Sequence, residues 1–178
     1  AALFCIQYAL TCLWDSVGLK PAAVAGHSIG EFAASVVAGA VPLSTALDTI
    51  VIRAELMEGL PNRGGMSVVL ADRLTLEKAL YDLGDPSINI AVENGPANFV
   101  ASGSQEGLLA LNKLLAKTNV RCHPLPVTHA FHSELMDPLL DDFENKITDR
   151  FDSARPSTSY FSSLEGKRLD RASSLDAS

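Results

Sequence analysis

Apolar side chains at Leu3, Ile6, Leu10, Leu13, Trp14 and Val17 recur every three or four residues, which predicts an amphipathic helix ending near Gly18. Pro21 opens a short strand that stops at Gly26, and helix-compatible residues from Phe32 run on to about Gly39. Ser44 is placed to cap a helix reaching Glu58, with apolar positions Ala46, Leu47, Ile50, Val51, Ala54 and Met57. Arg53 lies at the edge of that stripe beside Ile50 and Met57, and on spacing alone it reads as an arginine snorkelling to water.

From Gly64 the period changes. Met66–Ala71 predicts a strand, Thr75–Leu83 a helix stopped by Gly84, and Ser87–Val92 a second strand. Asn94-Gly95-Pro96 is turn chemistry, Phe99–Ser102 a third strand, Gln105–Ala116 a helix, and Val120–Val127 a last strand broken by two prolines. The order βαββαβ is that of a ferredoxin-like split lobe, here interrupting an α/β part. After it come the loop His129–Ser133, a helix from about Glu134 to Arg150, a strand-like run Ser157–Ser163 and a turn at Gly166. The predicted division is therefore residues 1–65 as the first part of an α/β core, 66–128 as the inserted lobe, 129–166 as the second part of the core, and 167–178 as a polar tail or linker.

Composition narrows the class. At 178 residues, 47% hydrophobic and 20% charged, the chain is long enough for one domain with a core and a smaller lobe. A net charge of −7 argues against a nucleic-acid binder, and no apolar run approaches the ~20 residues of a membrane-spanning helix. The three cysteines, Cys5, Cys12 and Cys122, have no CxxC spacing and read as reduced thiols in a cytoplasmic protein. With no start methionine, the chain is expected to be a piece of something longer.

The chemistry centres on Gly26-His27-Ser28-Ile29-Gly30-Glu31. G-x-S-x-G between a strand and a helix is a nucleophile elbow, in which a tight turn lifts the serine hydroxyl clear of the backbone and the helix N-terminus faces the space above it. The bland reading of the same residues is a glycine-rich helix start with Ser28 as its N-cap. A serine nucleophile needs a base, and there are four histidines. His27 precedes the serine and reads as turn support, and His123, beside prolines in a strand, reads as structural; His129 and His132 remain as candidates. The spacing of His123, His129 and His132 fits no metal-ligand pattern, and neither a paired-carboxylate site nor a P-loop is present.

These stretches, with the helix bearing Arg53, Gly64-Gly65-Met66, Asn94-Gly95-Pro96 through Val100-Ala101-Ser102-Gly103, and His129-Ala130-Phe131-His132-Ser133, resemble the acyltransferase domain of polyketide and fatty-acid synthases, the malonyl-CoA:acyl-carrier-protein transacylase family. The likeness runs from residue 1 to about Gly166 and implies an α/β-hydrolase-like core, with a short parallel sheet, interrupted by a ferredoxin-like lobe. It implies that Ser28 is the nucleophile, His132 the general base and then acid, and the Ile29 N–H one oxyanion donor. The resemblance makes Arg53, twenty-five residues after Ser28, the grip on a malonyl carboxylate. Phe131 and His129 become specificity or lining residues, and the backbone carbonyl near Ser163 the group that orients the base. A second oxyanion donor, a glutamine in a G-Q-G stretch, is expected upstream of residue 1, and the last strand and helices of the family after Gly166.

The resemblance further implies no bound cofactor and no metal. Malonyl-CoA and the phosphopantetheine thiol of an acyl carrier protein would be the substrates, with a ketosynthase and other synthase domains as neighbours. Lys113, Lys117 and Arg121, spaced by four, form either a basic strip for an acidic carrier or a solvated face. Two rivals stand beside this reading: a serine hydrolase or thioesterase with the same elbow, and a non-catalytic structural remnant.

Overall fold

In the computed structural model, which describes residues 1–61, 63–150 and 154–169, the chain divides into two units, one of Ala1–Leu56 with Asp141–Ser178 and one of Met57–Leu140.

The first unit begins with helix α1 (Ala2–Ser16), followed by strand β1 (Ala23–Ala25), α2 (Gly30–Val37) and α3 (Leu43–Glu58). The stripe expected to bury α1 is on its outside: Leu3, Ile6, Leu10, Leu13, Trp14 and Val17 are all exposed, Leu13 at 58%. The inward face is Phe4, Gln7, Tyr8 and Thr11, with Phe4 1% exposed and stacked on Tyr8 at a centroid separation of 6.3 Å. Apolar residues sit nearly all round this helix, so hydrophobicity alone marks no side, and packing against α2 selects the stripe with Phe4. A similar correction applies to α3. Ala46, Thr49, Ile50 and Met57 are buried, whereas Leu47, Val51 and Ala54 are exposed. Thr49 tolerates burial because its hydroxyl donates to the Thr45 carbonyl at 2.7 Å.

The expected helix from Glu134 to Arg150 is broken into a 3₁₀ segment, Glu134–Leu139, which belongs to the second unit, an α-helix, Leu140–Ile147, and a second 3₁₀ turn, Thr148–Arg150. Pro138 has no N–H for an α-helical bond, which accounts for the first break. Strand β6 (Ser159–Ser162) pairs parallel with β1, Val24 opposite Tyr160. The run after Gly166 is not wholly tail: β7 (Lys167–Leu169) returns antiparallel on β6, with Leu169 opposite Tyr160 and both buried. Gly166, at φ 63°, makes that reversal; residues 170–178 of the expected tail lie outside the described residues.

The second unit is a four-stranded antiparallel sheet in the order β3-β4-β2-β5, from β2 (Gly65–Leu70), β3 (Asn89–Gly95), β4 (Asn98–Gly103) and β5 (Arg121–Pro124). Helices α4 (Arg73–Leu83) and α5 (Gln105–Ala116) cover it, and Val69, Leu76, Phe99, Leu108, Leu111 and Leu115 form the core between. Asp72 and Ser104 cap the two helices, each side chain accepting from an N–H three residues on. The β3–β4 turn is Pro96-Ala97, so Asn94 and Gly95 still belong to the strand. Strand β5 ends at Pro124, short of the expected Val127, because Pro124 and Pro126 remove ladder donors.

This unit is wider than the lobe predicted at 66–128. The loop after β5 is fastened to its start: the Ala130 N–H donates to the Arg63 carbonyl at 2.5 Å, and the Ser133 hydroxyl to the Ala130 carbonyl at 2.7 Å. Gly64, at φ 60°, lies beneath that loop; a Cβ there would collide with the Gly103 carbonyl and come within 2.7 Å of the Ala130 Cβ and 2.9 Å of Leu135 Cδ1. Gly64→Ala is expected to cost about 3 kcal/mol, combining left-handed strain with overpacking. Urea denaturation reads this as a lower midpoint, and an unchanged midpoint would contradict the packing described.

Candidate active site

Each functional side chain is positioned within its own unit. In the first, β1 ends at Ala25 and the chain turns through Gly26-His27-Ser28-Ile29 into α2. Ser28 has φ 53°, left-handed backbone that a residue with a Cβ adopts only when its surroundings impose it. Gly26 makes the turn possible, since a Cβ there would overlap the Gly30 carbonyl and the Glu31 nitrogen. The Gly30 N–H donates to the His27 carbonyl at 2.9 Å and the Glu31 N–H to the Ser28 carbonyl at 3.0 Å. Among the described residues the Ile29 N–H bonds no backbone carbonyl, and Ile29 is the N-cap of α2. Ser28 is half-buried and His27 exposed. Beside the elbow, a groove of about 670 Å³ runs past Gln7, Trp14, Val24, His27, Gly30 and Ala34.

Arg53, on α3, is half-buried, and burial lowers its guanidinium pKa from the ordinary arginine value. The cation stays charged but has lost part of its water, which favours an anionic, bidentate partner.

In the second unit, His129, Phe131 and His132 share the loop held over Gly64. His129 is 3% exposed, with Nε2 3.0 Å from the Met57 carbonyl and Nδ1 2.8 Å from the Thr128 hydroxyl. A carbonyl can only accept, so Nε2 carries the proton and Nδ1 accepts from Thr128. Phe131 packs tilted on the His129 ring at 5.8 Å. His132 is exposed and, like Ser28, has a left-handed backbone, φ 59°.

Ser163 is found bonded through its N–H and hydroxyl to Glu31, at 2.6 and 2.5 Å. The Tyr160 hydroxyl donates to the same carboxylate. Glu31, the residue directly after the G-x-S-x-G run, has no role among the sequence expectations. The available signal was a lone acid opening an otherwise apolar helix. Among the described residues no group of three His, Cys, Asp or Glu is arranged to hold a metal ion, and no helix is long and apolar enough to cross a membrane.

A left-handed serine between a parallel strand and a helix has the geometry of a nucleophile elbow. Residues 1–177 match the acyl transferase domain family, and the chain belongs to it. Among curated proteins it is 39% identical over 166 residues to the mycoketide-CoA synthase of Mycobacterium tuberculosis, covering 93% of this chain and 4% of that one. It is 34% identical over 176 residues to the atrochrysone carboxylic acid synthase of Passalora fulva, covering 99% and 10%.

The mixed α/β fold with short sheets matches solved structures as well. One is the acyltransferase domain from the second module of the salinomycin polyketide synthase, with a TM-score of 0.88, 37% identity and coverage of 99% of this chain and 41% of that one. Another is the malonyl-CoA:ACP transacylase of Synechocystis sp. PCC 6803, with a TM-score of 0.80, 28% identity, 94% and 56%. The chain thus spans a tenth or less of these two curated relatives.

Proposed function

We propose that this chain carries the acyl-transfer centre of a polyketide (or fatty-acid) synthase and loads malonyl units from malonyl-CoA onto an acyl carrier protein. The observation that carries the reading is the left-handed Ser28 at the strand–helix junction. Ser28 Oγ attacks the thioester carbonyl while His132 takes its proton, and the Ile29 N–H donates to the oxyanion. The tetrahedral intermediate collapses, the C–S bond breaks, and the coenzyme A sulfur leaves with the proton from His132. The carrier phosphopantetheine thiol then attacks the malonyl ester, giving its proton to His132, which returns it to Ser28 Oγ. No resident cofactor is required.

His132 is the base by its place in the family's histidine motif, and the buried His129, with both ring nitrogens bonded, suits a lining role. Arg53 holds the malonyl carboxylate, Phe131 and His129 shape the acyl pocket, and the Ser163 carbonyl orients His132. The parallel β1–β6 pair with its elbow supports an α/β-hydrolase-like core, and the antiparallel order β3-β4-β2-β5 with two helices supports a ferredoxin-like lobe.

The test is mass spectrometry of the native polypeptide carrying this chain after exposure to malonyl-CoA. The expected result is one malonyl group on the peptide with Ser28, removed by a carrier thiol. Steady release of malonate without carrier product would replace transfer by thioester hydrolysis.

Lys113 is exposed on α5, Lys117 is exposed at its C-cap and Arg121 is exposed at the start of β5, so the three are accessible to an acidic carrier. Reversing charge with Lys113→Glu and Lys117→Glu is expected to slow transfer to the carrier about tenfold at low salt and leave acylation by malonyl-CoA unchanged. Stopped-flow transfer rates check this, and equal rates would assign the strip to a solvated face.

A further inference from the structure

We propose that Glu31 is a positioning residue for this reaction: its carboxylate ties the first turn of α2 to the end of β6 and thereby keeps Ser28 in the left-handed conformation that presents its hydroxyl. The inference rests on the acyltransferase reading above. On the N-terminal side of Ser28 the turn is set by the close fit of Gly26 against Gly30 and Glu31. On the C-terminal side the Ser28 carbonyl accepts from the Glu31 N–H, so the position of Glu31 is passed directly to the serine peptide.

Glu31 itself is anchored by the Tyr160 hydroxyl, the Ser163 N–H and the Ser163 hydroxyl. Tyr160 lies within β6 and Ser163 directly after its last residue; β6 is the strand beside β1, in register Val24 with Tyr160 and Ala25 with Phe161. One side chain thus bridges the ends of the two strands from which the elbow and the Ser163 loop emerge.

A carboxylate suits all three donors as they stand, whereas a glutamine would face the Tyr160 hydroxyl with its N–H₂ and make that hydroxyl turn round to accept. Tyr160 is buried, and burial first, then its bond to Glu31, push the phenol pKa well above the ordinary tyrosine value, so it remains a donor across the neutral range. With its lone pairs engaged by donors, the carboxylate sits in the first turn of α2, where the helix dipole favours it.

Single-turnover acylation of Ser28 by malonyl-CoA, followed by mass in the native polypeptide, tests the assignment with Glu31→Gln and Tyr160→Phe. Glu31→Gln is expected to lower the acylation rate constant on the order of 10²-fold, the cost of a nucleophile misplaced by about 1 Å. The malonyl-CoA concentration for half-maximal rate is expected to change less than about twofold. Tyr160→Phe, which keeps both Ser163 donors, is expected to lower the rate constant about tenfold. A purely structural role would lower the melting temperature and the amplitude but leave the rate constant of the folded fraction at the parent value, and that result overturns the proposal. Should Glu31→Gln fail to fold, an unchanged rate constant in Tyr160→Phe overturns it alone. Failure of the unsubstituted protein to acylate would instead remove the acyltransferase reading itself, together with this inference.

Discussion

Ser28→Ala is expected to abolish acyl-enzyme formation and to lower turnover on the order of 10⁴–10⁶-fold, the range for deleting a serine nucleophile that acts with its base as a unit. In barrier terms the loss is about 5–8 kcal/mol. The substitution removes one oxygen and leaves the backbone its left-handed turn, because Gly26 and the Glu31 hydrogen bonds set that turn without the hydroxyl. Folding is therefore expected to survive, and circular dichroism separates lost chemistry from lost structure. His132→Ala should cost nearly as much alone and little more when added to Ser28→Ala, since a base without a nucleophile has nothing to deprotonate. His129→Ala should behave differently: its ring bonds the Met57 carbonyl and Thr128, so the change lowers stability as well as rate. Malonyl-enzyme in Ser28→Ala at the parent level would place the nucleophile elsewhere.

The elbow was legible in the sequence because its requirements are local. A glycine where no Cβ fits, a serine and a second glycine are written within five residues, and Gly26 and Ser28 occupy the places those requirements predict. The order of strands and helices from Gly65 to Pro124 was legible for a similar reason, since period and turn residues agree there. What failed was the choice of face. Helix α1 is apolar nearly all round, and the stripe that packs, Phe4, Gln7, Tyr8 and Thr11, is the less hydrophobic one. No period analysis selects a half-polar face over Leu10 and Trp14; only the neighbouring helix does.

The Glu31 cradle was invisible for a related reason. Its donors lie about 130 residues further along, and nothing in Tyr160 or Ser163 by themselves announces an acceptor. The β7 strand was missed because a polar run with one buried residue, Leu169, reads as a tail until Gly166 turns it back onto β6.

Under the proposed malonyl-loading function, Arg53→Ala is expected to slow the reaction and remove its preference for an acyl group that carries a carboxylate. Burial strips part of the water from this guanidinium and so lowers its pKa, and a malonyl carboxylate would meet a partly desolvated cation. Removing one partner of such a pair costs about 2–5 kcal/mol, or roughly 30- to 5,000-fold in kcat/KM for malonyl-CoA. Acetyl-CoA, which has no carboxylate, should lose almost nothing, and in the parent protein it should be the poorest substrate because it forms no charge-assisted pair with the arginine. Methylmalonyl-CoA should fall between, its extra methyl at Phe131 costing about 1–3 kcal/mol. Lysine should not restore the parent preference, since an ammonium cannot present two parallel donors to both carboxylate oxygens. Because arginine stays protonated, the preference should be flat from about pH 6 to pH 9. Competition between malonyl-CoA and acetyl-CoA, scored by the mass of the acyl group on Ser28, decides the matter. A parent protein that loads the two equally, or an Arg53→Ala variant that still prefers malonyl by the parent ratio, would move the carboxylate site to another cation.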